Sequence, residues 1–176
     1  LNHLKGKIAI GHVRYSTTGA SHRENAQPMV VKYRNGQLAL AHNGNLVNAA
    51  ELRAKMEENG AIFQSTNDTE VVANLISRYR VLSDNIEDTL VQVMRAVKGY
   101  YAFVILTPEK LIGIRDPLGI RPLCIGRLDN SYILSSESAA LDAIGAELIR
   151  DVNPGEIVVI SKDGLNSIQT ETPGQS

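Results

Sequence analysis

The chain has 176 residues, 43% of them hydrophobic and 21% charged, with a formal net charge of −1. That length fits one domain with a substantial core, and the near-neutral balance excludes the basic footprint of a protein that binds nucleic acid or an anionic membrane. No apolar run approaches the roughly 18 residues of a membrane span, no signal-peptide pattern is present, and a single cysteine, Cys124, excludes an internal disulfide framework and favours a reducing, cytoplasmic setting.

In chain order, Ile8 to Ser16 reads as a strand that leaves its apolar phase at Arg14, and Thr17 to Ser21 as a polar loop. Glu24 to Pro28 continues as loop, and Met29 to Tyr33 as a second strand. Arg34-Asn35-Gly36-Gln37 is a hairpin turn into Leu38-Ala39-Leu40-Ala41, an alternating run that ends in His42-Asn43-Gly44-Asn45. An amphipathic helix is expected over Ala49 to Asn59 with Gly60 as its stop, then a short buried strand or linker at Ile62-Phe63. Ser65 to Glu70 opens a second helix, and Ile86 to Val97 forms a third. Beyond it, Tyr101–Leu106 and Leu111–Arg115 pair as a hairpin, and Asp116 to Pro122 is a rigid connection with two prolines and a glycine. Leu123–Gly126 and Tyr132–Ser136 make a further hairpin, Glu137–Ile144 a short helix, and Ala146–Asp151 and Glu156–Ser161 two late strands. An Asp163-Gly164 turn leads to an edge strand.

Hairpins join most neighbours and no βαβ alternation appears, so the expected fold is α+β: an αββα sandwich of two mostly antiparallel sheets. The domain is expected over 1–168, with 169–176 as a linker. Leu1 stands where an initiator Met would, so the start reads as the middle of something longer.

Three side-chain groups suggest chemistry. Arg14 beside the hydroxyls of Ser16, Thr17 and Thr18 suits a carboxylate, although a surface arginine beside a solvated loop has the same look. Asp68 suits an amino group, or simply caps a helix N-terminus. Asn43 and Gly44 form either a plain Asn-Gly turn or a side-chain amide and backbone N–H that stabilise an oxyanion. Together these groups would hold an α-amino acid with its side-chain carbonyl activated. No attacking group accompanies them: Cys124 lies in an apolar strand pattern and reads as a buried thiol. The four histidines, His3, His12, His22 and His42, are scattered without metal-ligand spacing, and no phosphate-binding glycine loop occurs.

The segments Gly11 to Gly19, Glu24 to Pro28, Leu40 to Leu46 and Thr66 to Glu70 resemble the glutaminase domain of class II glutamine amidotransferases. Asp116-Pro117-Leu118-Gly119-Ile120-Arg121-Pro122-Leu123 and Ser135-Ser136-Glu137-Ser138 are most similar to the amidophosphoribosyltransferase branch of that family. The resemblance implies the N-terminal-nucleophile (Ntn) hydrolase fold, lacking its first strands in this segment. It implies that Arg14, helped by Thr17, binds the glutamine α-carboxylate, that Asp68 binds the α-ammonium, and that Asn43 and Gly44 form the oxyanion hole. The family's nucleophile is an N-terminal cysteine acting with its own amino group, and no residue of this sequence matches it, so the segment alone is expected to be inactive. For the parent protein the resemblance implies glutamine and phosphoribosyl diphosphate as substrates and 5-phosphoribosylamine as product, in purine synthesis. It also implies a phosphoribosyltransferase domain as intramolecular partner, a homo-oligomer, and Mg2+, and it leaves an iron–sulfur cluster open. No cofactor, nucleic acid or membrane is implied for this segment. A non-catalytic module that binds an amino acid or a partner is the other reading that the residues allow.

Overall fold

The computed structural model describes residues 6–13, 25–34 and 36–170. Thirteen elements follow in order: β1 (Met29–Tyr33), β2 (Gly36–Leu46), α1 (Ala49–Glu57), α2 (Asp68–Tyr79), α3 (Ile86–Ala96), β3 (Gly99–Leu106), β4 (Leu111–Arg115), β5 (Cys124–Leu128), β6 (Ser131–Ser135), α4 (Ser138–Ala143), β7 (Glu147–Asp151), β8 (Glu156–Ser161) and β9 (Gly164–Gln169). A six-stranded sheet runs in the order β1-β2-β3-β4-β8-β9, a three-stranded sheet in the order β6-β5-β7, and every pairing is antiparallel.

Alternation along the strands builds the layers. In the large sheet Leu38, Leu40, Phe103, Ile105, Ile112, Ile114, Ile157 and Val159 face one way, into a core shared with α1, α2 and α3. Ala102 and Val158 face the other way and pack against Ile125 of β5 and Leu123 just before it. On the outer face of the small sheet, Cys124 packs against Leu141 of α4. The result is the expected four-layer αββα sandwich. Gly113 sits between the sheets, where a Cβ would lie 2.8 Å from a Leu134 methyl and 3.1 Å from one of Leu123. A glycine here allows the two layers to close.

The helices start where local chemistry allows. Asn85 accepts from the Asp88 N–H at 2.8 Å, and Ile86, Leu90, Val93 and Met94 then bury one stripe of α3. After α3, Asn48 ties the end of β2 to the start of β3, donating to the Ala96 carbonyl and accepting from the Lys98 N–H. The Asp116–Pro122 connection is rigid for a visible reason. The fully buried Asp116 carboxylate accepts from the N–H groups of Leu118, Ile120 and Arg121.

Three expectations need correction. Residues 8–13 form no strand, although Ile8 and Ile10 alternate with exposed neighbours, because no strand among the described residues ladders with them. Ile62 is exposed rather than buried, and only Phe63 is half-covered, beneath the Arg53 guanidinium at 4.0 Å. Residue 169 is still strand: Gln169 pairs with Glu156, and the Thr170 N–H donates to the Gly155 carbonyl.

The two sheets are also joined by an ion pair. Arg150 of β7 donates through both terminal nitrogens to Glu156 of β8, at 2.8 and 2.7 Å. Burial is the largest influence on Glu156 and pushes its carboxyl up, but Arg150, the Asn153 N–H and the Ser167 hydroxyl outweigh it and hold the group below its ordinary value of 4.5. Glu156 is 2% exposed whereas the Arg150 side chain is 37% exposed. Removing the arginine strands a buried charge, and removing the glutamate leaves an arginine that can turn to water. Arg150→Ala should therefore cost about 3 kcal/mol in denaturant unfolding, and Glu156→Gln clearly less. A carboxyl whose folded value is depressed stabilises above its unfolded value and loses that contribution as pH falls through the folded one. The gap between wild type and Arg150→Ala should thus be full near pH 7 and narrow below about pH 4.

Candidate functional site

The site is organised along β2. Sequence chemistry allows an Asn-Gly turn at 43–44, but β2 runs straight through to Leu46, pairing Asn43 with Ala102, Gly44 with Tyr101 and Leu46 with Gly99. The turn reading is therefore wrong. Gly44 is needed here for close approach: its φ is +141°, and a Cβ would lie 2.1 Å from the Tyr100 carbonyl oxygen. Gly99 repeats the arrangement from β3, where a Cβ would lie 2.2 Å from the Asn45 oxygen.

Asp68 is delivered by the start of α2. The cap is Asn67, not Asp68: the Asn67 Oδ1 accepts from the Thr69 N–H at 3.0 Å. Glu70, two residues into the helix, accepts from Gln64 N–H, Ser65 N–H and the Ser65 hydroxyl, each at 2.7 Å, and so fixes the entry of the chain. With capping done by its neighbour, the Asp68 side chain reaches β2. Its Oδ1 accepts from His42 Nδ1 at 3.1 Å and its Oδ2 from the Leu46 N–H at 3.2 Å. Burial is the largest influence on this carboxyl and raises it, but His42, Leu46 and Thr69 together hold it below its ordinary value of 3.8. The positive end of α2 acts in the same direction. Asp68 is an anion braced at both oxygens.

His42 is the residue that sequence reading missed. It is 4% exposed and follows Leu38 and Leu40 on the helix-side face of β2, so its parity marked it as buried. The pairing of β1 with β2 stops at Met29–Leu40, and two side chains continue that edge. The His42 N–H donates to Gln27 Oε1 at 2.6 Å, and His12 Nε2 donates to the His42 carbonyl at 3.2 Å. Gly44 lies two residues further along the same edge, beyond the reach of β1.

Of the expected site residues, Arg14 and Thr17 lie outside the described residues. Asn43 shares the inter-sheet face with its partner Ala102, while Asp68 approaches β2 from the helix side. The two converge on the strand end: Asp68 contacts residues 42 and 46 on either side of Asn43 and Gly44. Cys124 is buried against α4 and donates from Sγ to the Ser135 carbonyl at 3.3 Å. Burial first, and the nearby Asp151 second, push its thiol up, which is the wrong direction for a nucleophile. Among the described residues no group of three or more His, Cys, Asp or Glu could hold a metal ion. A cavity of about 1080 Å3 opens at the other end of β2 and β3, by Leu38, Ala39 and Leu106. Ala39 is roughly 17 Å along the strand from Gly44, at about 3.3 Å per residue.

Residues 12–143 match the family model described as a glutamine amidotransferase domain. The chain belongs to the glutamine amidotransferase family. It is 50% identical over 161 residues to an amidophosphoribosyltransferase of Archaeoglobus fulgidus, covering 92% of this chain and 35% of that protein. The amidophosphoribosyltransferase of Bacillus subtilis is 47% identical over 170 residues, which is 95% of this chain and 35% of the relative. The solved structure of the B. subtilis glutamine phosphoribosylpyrophosphate amidotransferase complexed with ADP and GMP superposes with a TM-score of 0.83 at 43% identity, over 90% of this chain and 34% of that one. A structure described as the allosteric regulatory enzyme of purine biosynthesis gives a TM-score of 0.85 at 44% identity, with the same coverage of 90% and 34%. The sandwich of this amidotransferase domain is thus the Ntn-hydrolase arrangement. The chain spans about a third of the length of these relatives. No helix of the described residues is long and apolar enough to cross a membrane.

Proposed function

We propose that this chain forms the glutamine pocket of an amidophosphoribosyltransferase. The observation that carries this reading is the Asp68 carboxylate, half-buried, anionic and braced on β2 beside Asn43 and Gly44. A carboxylate held in this way suits an α-ammonium group. The Gly44 N–H, on the edge that β1 leaves open, and the Asn43 amide next to it in the chain are suited to the oxyanion that forms when the glutamine side-chain carbonyl is attacked. Arg14, helped by Thr17, is assigned the α-carboxylate in this reading. Arg14 is two residues along the chain from His12, which bonds the His42 carbonyl.

In the whole protein, a cysteine thiolate attacks the glutamine Cδ carbonyl, ammonia leaves, and water hydrolyses the thioester to glutamate. The ammonia then attacks C1 of phosphoribosyl diphosphate at a phosphoribosyltransferase domain, the C1–O bond breaks and diphosphate leaves, to give 5-phosphoribosylamine, an early step of purine synthesis in the cytoplasm. Mg2+ belongs to that second chemistry. The attacking thiolate is not Cys124, whose burial and raised thiol pKa oppose the role. The 176 residues therefore bind glutamine without turning it over, which is also the form that a non-catalytic amino-acid-binding module would take.

Calorimetry of this chain with L-glutamine, alongside an ammonia-release assay, tests the reading. Saturable heat and no ammonia above a Cys124→Ala control are expected. Absence of heat removes the pocket, and ammonia lost on Cys124→Ala would make Cys124 a nucleophile after all.

A further inference from the structure

His42 has one polar atom with no evident structural use. Its ring is buried, Nδ1 donates to Asp68 Oδ1, and Nε2 is buried without a hydrogen-bond partner. A leucine at this place, following Leu38 and Leu40 on the same face, would fill the core without leaving an orphaned nitrogen. An imidazole is therefore explained only by what Nδ1 does. Its plane is held from β3: the His42 and Phe103 rings lie 4.9 Å apart at 59°, and Tyr101 stacks on Phe103 at 4.4 Å. Its backbone is held on the other side by Gln27 and His12. Every restraint on residue 42 fixes the direction in which Nδ1–H points, and that direction is Asp68.

We infer that His42 is a positioning residue, whose Nδ1–H sets the Asp68 carboxylate so that its remaining lone pairs face the α-ammonium group of the bound amino acid. This rests on the reading of Asp68 as the ammonium anchor. The Leu46 N–H holds the second oxygen, so with both donors in place the carboxylate cannot rotate about its Cβ–Cγ bond. Without His42, one oxygen swings, and the anchor loses orientation but keeps its charge.

The test uses the 176-residue chain and L-glutamine calorimetry. An asparagine at 42 carries an N–H donor the same number of bonds from Cβ as Nδ1, whereas a glutamine carries it one bond further out. His42→Asn should bind within about threefold of wild type, and His42→Gln and His42→Leu should bind at least tenfold more weakly. In an Asp68→Asn background the His42 substitutions should add no further loss, a signature that a merely structural role would not give. Full binding by His42→Leu or His42→Gln overturns the inference and leaves the pocket reading intact. Additive losses in the Asp68→Asn background overturn it too. If His42→Leu fails to fold, the Asn and Gln pair carries the comparison. No binding by wild type instead refutes the ammonium-anchor reading, and with it any role for His42 in ligand binding.

Discussion

Gly44→Ala should be the most damaging single-methyl substitution in this domain, lowering stability by on the order of 4 kcal/mol or preventing folding. The added Cβ would stand 2.1 Å from the Tyr100 oxygen, 2.8 Å from Tyr101 Cα and 3.0 Å from the Tyr100 carbonyl carbon. All three are backbone atoms of the neighbouring central strand, so no side chain can swing aside. The backbone itself, at φ +141°, is one that L side chains rarely adopt. Relief requires β2 and β3 to part, and their ladder from Ala39–Leu106 to Leu46–Gly99 is the middle of the sandwich. Gly60→Ala is the matched control. Its φ of +82° imposes backbone strain, but a Cβ there meets nothing within 4 Å, so the cost should stay near 1–2 kcal/mol. Urea unfolding of the two variants checks this. Equal losses would mean that the close approach at Gly44 is not what selects glycine.

The largest expected effect on ligand binding is at Asp68. Asp68→Asn should weaken L-glutamine binding roughly 100-fold, about 2–3 kcal/mol for losing a charge-assisted contact to an ammonium group. The loss has two parts. An amide carries no charge, and its NH2 must face either His42 Nδ1–H or the Leu46 N–H, both of which already donate. The pH dependence has a definite sign. Because the Asp68 carboxyl is held below its ordinary 3.8, the anion, and the binding and stability that depend on it, should persist through pH 4 and fade only below it. Calorimetry of wild type and Asp68→Asn measures the first effect, and a glutamine titration across acid pH the second. Binding that weakens between pH 7 and 5 would implicate another group.

Much of this was legible in the sequence because it is local. The stripe Ile86, Leu90, Val93, Met94 and the hairpins of β3 with β4 and β5 with β6 follow from spacing and turn chemistry alone. Misreadings arose where the deciding partner is distant. Asn43-Gly44 has the composition of a turn, but whether a glycine serves a bend or a close approach depends on what lies opposite, here Tyr100. Ser65 to Asp68 contains four residues able to cap a helix, and choosing Asp68 instead of Asn67 hides a side chain that is free to reach β2. The alternation at Ile8 and Ile10 suggests a strand, but strand formation needs a partner that no local pattern supplies. His42 is hidden when a histidine is read only as a metal ligand, although its place after Leu38 and Leu40 sets it on the buried face.

The most direct test of an amino-acid site at the end of β2 is to locate the glutamine-dependent shifts in amide NMR spectra of the 15N-labelled chain. L-glutamine should move the Gly44 and Leu46 backbone signals and the Asn43 side-chain NH2, and leave the signals of Leu106, Thr107 and Lys110 around the distant cavity in place. Shifts confined to that cavity, or none at saturating glutamine, would contradict a glutamine pocket built on Asn43, Gly44 and Asp68.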